Sequence, residues 1–192
     1  VGAATQILPL NGTREGLFNA CIALCPEAKG GKQPVVLTPN PFYQVYAVAA
    51  AAVGAEPVFV PATEATGFLP RYGDLDPAVL DRVAIAYLCS PANPQGAIAD
   101  RDYLEQLIAL ADRHDFLIFA DECYSEIWRD APPPGALAVA NAVGHHLLDP
   151  EPREVESPDE LLTPAEQAEV EAEVEESEAQ AEIEPGESPY ES

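Results

Sequence analysis

Basic residues are scarce in this chain. Nine lysines and arginines stand against 33 acidic residues, giving a formal net charge of −24 over 192 residues. Such a balance disfavours nucleic acid and anionic membranes as partners, because both are polyanions. Lysine occurs only as Lys29 and Lys32. Long apolar runs are missing too, and none approaches the roughly 18 residues of a membrane-spanning helix. No basic region followed by an apolar stretch opens the chain, so no secretory signal is visible. The chain starts at Val1 and runs almost at once into ILPLNG, from which an upstream part is expected. Cys21, Cys25, Cys89 and Cys123 fit neither a zinc pattern nor a redox CxxC motif. They read as buried free thiols of a reducing, cytoplasmic compartment. His145, His146 and Asp149 hint only weakly at a metal and fit a polar loop better, so no metal site is predicted.

The hydrophobic fraction of 47% is inflated by 32 alanines. A first segment of about 140 residues can still bury roughly two-thirds of its surface. Residues 151–192 hold 16 acids and one base, Arg153. The expected organisation is a body at 1–140 and an acidic, low-complexity, disordered tail at 141–192. Within that tail, Thr163-Pro164-Ala165-Glu166 fits a capping box. The glutamates beyond it repel one another at i,i+4 spacing, which disfavours an isolated helix.

In the body, strand-like and helix-like segments alternate. Strands are expected at 6–8, 35–37, 57–60, Val83–Cys89 and 116–120. Helices are expected at 13–25, at 43–53 with Gly54 as C-terminal cap, after Asp76 with Pro77 first, and at 100–114. After Trp128 no clean period remains. Strands alternating with helices predict an α/β fold with a mostly parallel sheet and helices on both faces.

Three loops carry chemistry. In NGTREG, a glycine turn leads into a helix N-terminus at Gly12, Thr13 and Arg14, where free amides and the helix dipole suit an anion such as phosphate. In SPANPQG, two prolines and a glycine fix Asn93, a donor and an acceptor; a rigid turn with a cis Asn93–Pro94 bond explains it as well. In FLIFADECY, a run read as a fully buried strand ends on Asp121, with Tyr124 three residues later. A carboxylate there sits where open α/β sheets bind ligands. It calls for a cation or a protonated ring nitrogen beside it, unless it merely caps the next segment. Tyr43, in PNPFY, could stack on a flat ring.

The strings NGTREGLF, PNPFYQVY, CSPANPQG and ADECYSEIW together resemble the class I/II aminotransferases, fold type I pyridoxal-phosphate enzymes, in family order and spacing. Their wording is most similar to succinyldiaminopimelate aminotransferases of lysine biosynthesis. The resemblance covers about two-thirds of the chain. It implies pyridoxal 5′-phosphate as cofactor, small amino and keto acids as substrates, amino transfer from glutamate to a keto acid or aldehyde, and a homodimer in the intact family. Residue by residue, it implies that Asp121 pairs with the ring nitrogen and that Tyr124 and Asn93 bond the ring's phenolic oxygen. Tyr43 then stacks on the ring, while Gly12, Thr13 and Arg14 present amides to the phosphate.

The family's Schiff-base lysine lies downstream of this aspartate, and no lysine follows Lys32 here. Lys29 and Lys32 fall in a loop on the wrong side of the expected sheet, so no catalytic residue is assigned. The family's distal, carboxylate-binding arginine is missing as well. The expectation is therefore part of a large domain joined to an unrelated tail, by frameshift, fragmentation or fusion, and inactive alone. A fold type I lyase or synthase, or a non-catalytic acidic interaction protein, remain the alternatives.

Overall fold

Strand β3, Val83–Cys89, is buried at every residue, as an uninterrupted VAIAYLC run requires of a central strand. The computed structural model describes residues 7–144. Around β3 lie β1 (Val35–Asn40), β2 (Glu56–Pro61) and β4 (Leu117–Asp121), in the order β2-β1-β3-β4 with every pairing parallel. Helices α1 (Thr13–Leu24), α2 (Gln44–Ala52), α3 (Pro77–Leu80), α4 (Arg101–His114) and α5 (Ala136–Ala142) complete the set, with short 3-10 turns at Glu64–Thr66 and Tyr72–Asp74. The α/β class and the parallel sheet are as expected.

Alternation along β1, and along β3 beyond a register shift between the Val35–Val83 and Val36–Ile85 pairs, sends side chains to two cores. Val35, Leu37, Val83, Ala86 and Leu88 pack with Leu104, Leu107, Ile108 and Ala111 of α4 and with Val139 of α5. Val36, Ile85 and Tyr87 face the opposite way, onto Cys21 of α1 and Tyr46, Ala49 and Ala50 of α2. Leu104, Leu107, Ile108 and Ala111 of α4 are thus buried, and Asp100 caps that helix by accepting from Tyr103 N–H at 2.8 Å. Asp76 caps α3 in the same way through Ala78 N–H. Gly54 follows α2 at φ 70°, a left-handed backbone that glycine adopts without strain. Leu107→Ala, which opens a hole at the α4–sheet contact, should cost about 2–5 kcal/mol. A urea melt would read this as a lower midpoint at an unchanged slope.

Several expectations change. Residues 7–10 are irregular rather than strand, and Gln6 lies outside the described residues. The helix expected at 13–25 ends at Leu24, which is 47% exposed. β1 does not break at Thr38 but continues through Pro39 to Asn40. Its pairing with β3 ends at Leu37, so from there only the β2 side is laddered and a proline is tolerated. β4 is not fully buried: Leu117 to Phe119 are half-buried and Ala120 is exposed. It pairs only with β3 among the described residues, which makes it an edge. Helix α5 was not foreseen and runs across the boundary set at residue 140. Glu122, in the turn after β4, accepts from Ala136 N–H at 2.6 Å and so fastens its first turn. The remainder of the expected tail, and the His145, His146 and Asp149 group, lie outside the described residues. No helix among the described residues is long and apolar enough to cross a membrane.

Candidate functional site

The C-terminal ends of β1, β3 and β4 open onto a cavity of about 200 Å³ beside the start of α1. Thr13, Tyr43, Asn93, Asp121 and Tyr124 line it, five of the seven residues singled out from sequence. Parallel strands bring their loops to one edge of the sheet, so residues spread over the chain converge there. Gly12 and Arg14 adjoin the cavity without lining it. Gly12 is the N-cap of α1 in an extended backbone and offers the helix no side-chain cap. The first amides of α1 therefore lack the usual capping oxygen. The exposed carboxylate of Glu15 lies close by, within 2.5 Å of where a Cβ on Gly12 would sit. An acidic side chain in the first turn is what the helix dipole favours.

Asp121 is the electrostatic centre. Its carboxylate is 7% exposed, yet no cation pairs with it among the described residues. Its Oδ2 accepts from the Tyr46 hydroxyl at 2.6 Å, and its Oδ1 from Cys123 N–H at 3.3 Å. The second bond spans two residues and closes a turn rather than capping a helix, so the capping role is met only in a weak form. Tyr46 is fully buried and stacks on Tyr87, with ring centroids 4.3 Å apart. Tyr43 meets Tyr46 edge-on at 5.8 Å. Burial and, second, the Asp121 carboxylate push the Tyr46 phenol far above its ordinary pKa, so it remains a donor. A buried carboxylate supported only by neutral donors is costly, and a cationic group in the cavity would offset that cost.

The loop after β3 is held rigidly. Ala92 N–H donates to Ala97 O at 2.8 Å, and the Ser90 hydroxyl accepts from Ala99 N–H at 3.0 Å. The Asn93–Pro94 bond is cis, as the sequence allowed, and so are Ser90–Pro91 and Asn40–Pro41. Asn93 Nδ2 lies 3.4 Å from the Tyr124 hydroxyl, near the outer limit of a hydrogen bond. The two side chains are thus available together to one acceptor.

Among the lining residues outside the predicted set, Tyr46 and Cys123 carry polar groups next to Asp121. Tyr46 stands one helical turn after Tyr43, a spacing that could have flagged it. Cys123, between Asp121 and Tyr124, was read as a buried thiol but is exposed, with Sγ 3.5 Å from Thr13 Oγ1. Desolvation raises the pKa of Cys21, Cys89 and Cys123 alike, so what separates them is access: Cys21 and Cys89 are buried and Cys123 is exposed. Half-buried Cys25 is pushed up to about 11, by burial first and then by Cys21. Iodoacetamide at neutral pH should therefore label Cys123 first and spare Cys21 and Cys89 until denaturant is added. Peptide mass mapping would show this; early label on Cys89 would contradict the placement.

Neither lysine approaches the cavity. Lys29 Nζ donates to Val83 O at 2.6 Å and His114 O at 2.8 Å, and also to Asp115 O. Those carbonyls mark the start of β3 and the end of α4. A cation there complements the helix dipole at the edge of the sheet opposite the cavity.

The sequence profile described as "Aminotransferase class I and II" matches residues 1–155. An LL-diaminopimelate aminotransferase from Moorella thermoacetica is 34% identical over 125 residues, which is 65% of this chain and 31% of that protein. A crystal structure of an aminotransferase from Neisseria meningitidis matches at 36% identity with a TM-score of 0.69, covering 75% of this chain and 36% of its own. A probable N-succinyldiaminopimelate aminotransferase from Thermus thermophilus matches at 27% identity and a TM-score of 0.58, over 66% of this chain and 33% of its own. The chain thus spans about a third of the length of these relatives.

Proposed function

This chain belongs to the class I and II aminotransferases, and on that premise we propose that residues 7–144 are a cofactor-holding part of such an enzyme. The family uses pyridoxal 5′-phosphate and acts on small amino and keto acids. The observation that carries the reading is Asp121, a buried carboxylate without a cationic partner among the described residues, facing a cavity that Tyr43, Asn93 and Tyr124 also line. The protonated ring nitrogen of the cofactor is the cation that fits it.

When bound, the cofactor supplies an electron sink for the substrate's α-carbon. The chain's own residues hold it in place. Asp121 would keep the ring nitrogen protonated, and Tyr46 fixes the carboxylate by donating to its Oδ2. Asn93 and Tyr124 would donate to the ring's phenolic oxygen. Tyr43 would cover one ring face. The uncapped amides at Gly12, Thr13 and Arg14 would bind the phosphate, with exposed Glu15 swinging aside. Amino transfer from glutamate to a keto acid or aldehyde is the reaction we assign to this family member. The names of its relatives favour a substrate of the diaminopimelate kind, and so a place in lysine biosynthesis. Because no lysine reaches the cavity, this chain alone would hold the cofactor without completing the transfer. That same observation favours non-catalytic cofactor binding as the second reading.

Titration of the purified chain with pyridoxal phosphate, followed by absorbance and calorimetry, tests the proposal. One equivalent should bind, and pyridoxal lacking its phosphate should bind at least about tenfold more weakly, since charge-assisted contacts to an anion are the strong ones. Equal affinity for the two would remove the phosphate site. No binding of either would remove the cofactor reading.

A further inference from the structure

The cavity has two unlike sides. Asn93, Asp121 and Tyr124 lie at and after the ends of β3 and β4 and carry polar groups. Pro39, Pro41 and Phe42, at the end of β1 and in the turn after it, are apolar. The cofactor reading engages the polar side and the Tyr43 ring, and it gives the apolar side no role. Phe42 is nonetheless 39% exposed, a large ring that folding leaves in contact with water. It leans on Phe59 of β2, itself 42% exposed, with ring centroids 4.8 Å apart at a 47° tilt. β2 pairs only with β1 among the described residues, so no further strand there covers the two rings. Adjacent exposed aromatics that continue a cavity wall mark a place for an apolar ligand group.

We propose that Phe42, backed by Phe59, receives the side chain of the amino- or keto-acid substrate and favours an aliphatic or aromatic arm over a short one. The inference rests on the cofactor reading above and names a substrate class for the same cavity. Phe42 is the residue before Tyr43, so a substrate joined to a ring stacked on Tyr43 would have its arm beside Phe42. Asp121 is the one charged residue lining the cavity among the described residues, and the ring nitrogen would occupy it. The surface left to the arm is apolar, and covering it takes both partners out of water. The tilted contact with Phe59 holds the Phe42 ring, so little rotamer freedom is lost on binding. The methylene chain of a diaminopimelate-type substrate would meet the same surface.

Two probes test this. Both are stable reduced conjugates of pyridoxal phosphate, one made with leucine and one with alanine; they share every charge and differ only in the arm. Calorimetry on the whole chain should give about five- to tenfold tighter binding of the leucine conjugate, the scale of partly burying three further carbons. In Phe42→Ala that ratio should fall to near one while the alanine conjugate keeps its affinity. Phe59→Ala, which removes only the backing, should give an intermediate ratio, and Phe42→Leu should retain most of it. Circular dichroism checks that these exposed substitutions leave the fold in place. If Phe42→Ala weakens both conjugates by one factor, the ring serves the cofactor and the proposal is wrong. A ratio near one in the original chain overturns it, as does a ratio that the substitution leaves unaltered. If the ratio is unaltered and Phe42→Ala turns a sedimenting dimer into a monomer, the two rings form an interface between copies instead. If neither conjugate binds the original chain, the cofactor reading fails and this proposal falls with it.

Discussion

Asp121→Asn is expected to weaken pyridoxal-phosphate binding by roughly 10- to 100-fold while leaving the fold intact. The carboxylate lies at the end of β4, 7% exposed, and its two recorded partners, Tyr46 and the Cys123 amide, are neutral. Asparagine keeps the size and can still accept from the Tyr46 hydroxyl, so the packing of α2 against the sheet should survive. What disappears is the charge that would hold a protonated ring nitrogen. Hydrogen bonds to charged groups contribute about 1.5–3 kcal/mol, and each 1.4 kcal/mol is about tenfold in affinity. Removing an unneutralised buried charge should also raise the stability of the cofactor-free chain slightly. The two readouts therefore move in opposite directions: weaker binding in a titration, an equal or higher midpoint in a urea melt. Unchanged affinity would mean that Asp121 serves only the turn at Cys123. Tyr46→Phe removes only the donor to Oδ2 and should weaken binding less, by about three- to tenfold.

The second large expected effect concerns amino transfer itself. Incubation with pyridoxal phosphate and glutamate should give no measurable amino transfer, and borohydride reduction should leave no stoichiometric lysine adduct. The lysines are Lys29 and Lys32 alone. Burial lowers the pKa of the Lys29 amine, against the opposing pull of Asp115 and Asp81. That alone would favour a nucleophile. Its hydrogens, however, are directed at the carbonyls of Val83, His114 and Asp115. Val83 opens β3 and Cys89 closes it beside the cavity. At about 3.3 Å per residue, the length of that strand separates the amine from the site by roughly 20 Å. A missing general base typically costs about 10²–10⁴-fold in rate, before the missing covalent attachment is counted. A single adduct on Lys29, together with turnover of glutamate, would show that the site lies elsewhere.

Much of this molecule is written locally. VAIAYLC is apolar throughout and fills a central strand; Asp76, Asp100 and Gly54 bound their helices by capping rules that act within a few residues. The four strings that hold the site residues are short and local, which is why their family resemblance is legible from sequence. Other features depended on distant partners. β1 tolerates Pro39 because β3 stops pairing at Leu37, a property of two strands together. FLIFA looks like a buried strand but is half-buried, because burial depends on what lies beside an edge. Helix α5 is too short, at seven residues, to show a readable period, and its start is fastened by Glu122 across a loop rather than by a cap of its own. Local patterning carries the α/β alternation, the helix caps, and the residue types that could serve an anion, a ring and a ring nitrogen. Long-range packing is what brings Tyr46 under Asp121, anchors Arg14 to Tyr43 and fixes Lys29 at the opposite edge of the sheet. Those are contacts across 75, 29 and 85 residues, fixed by strand order and packing rather than by any local pattern.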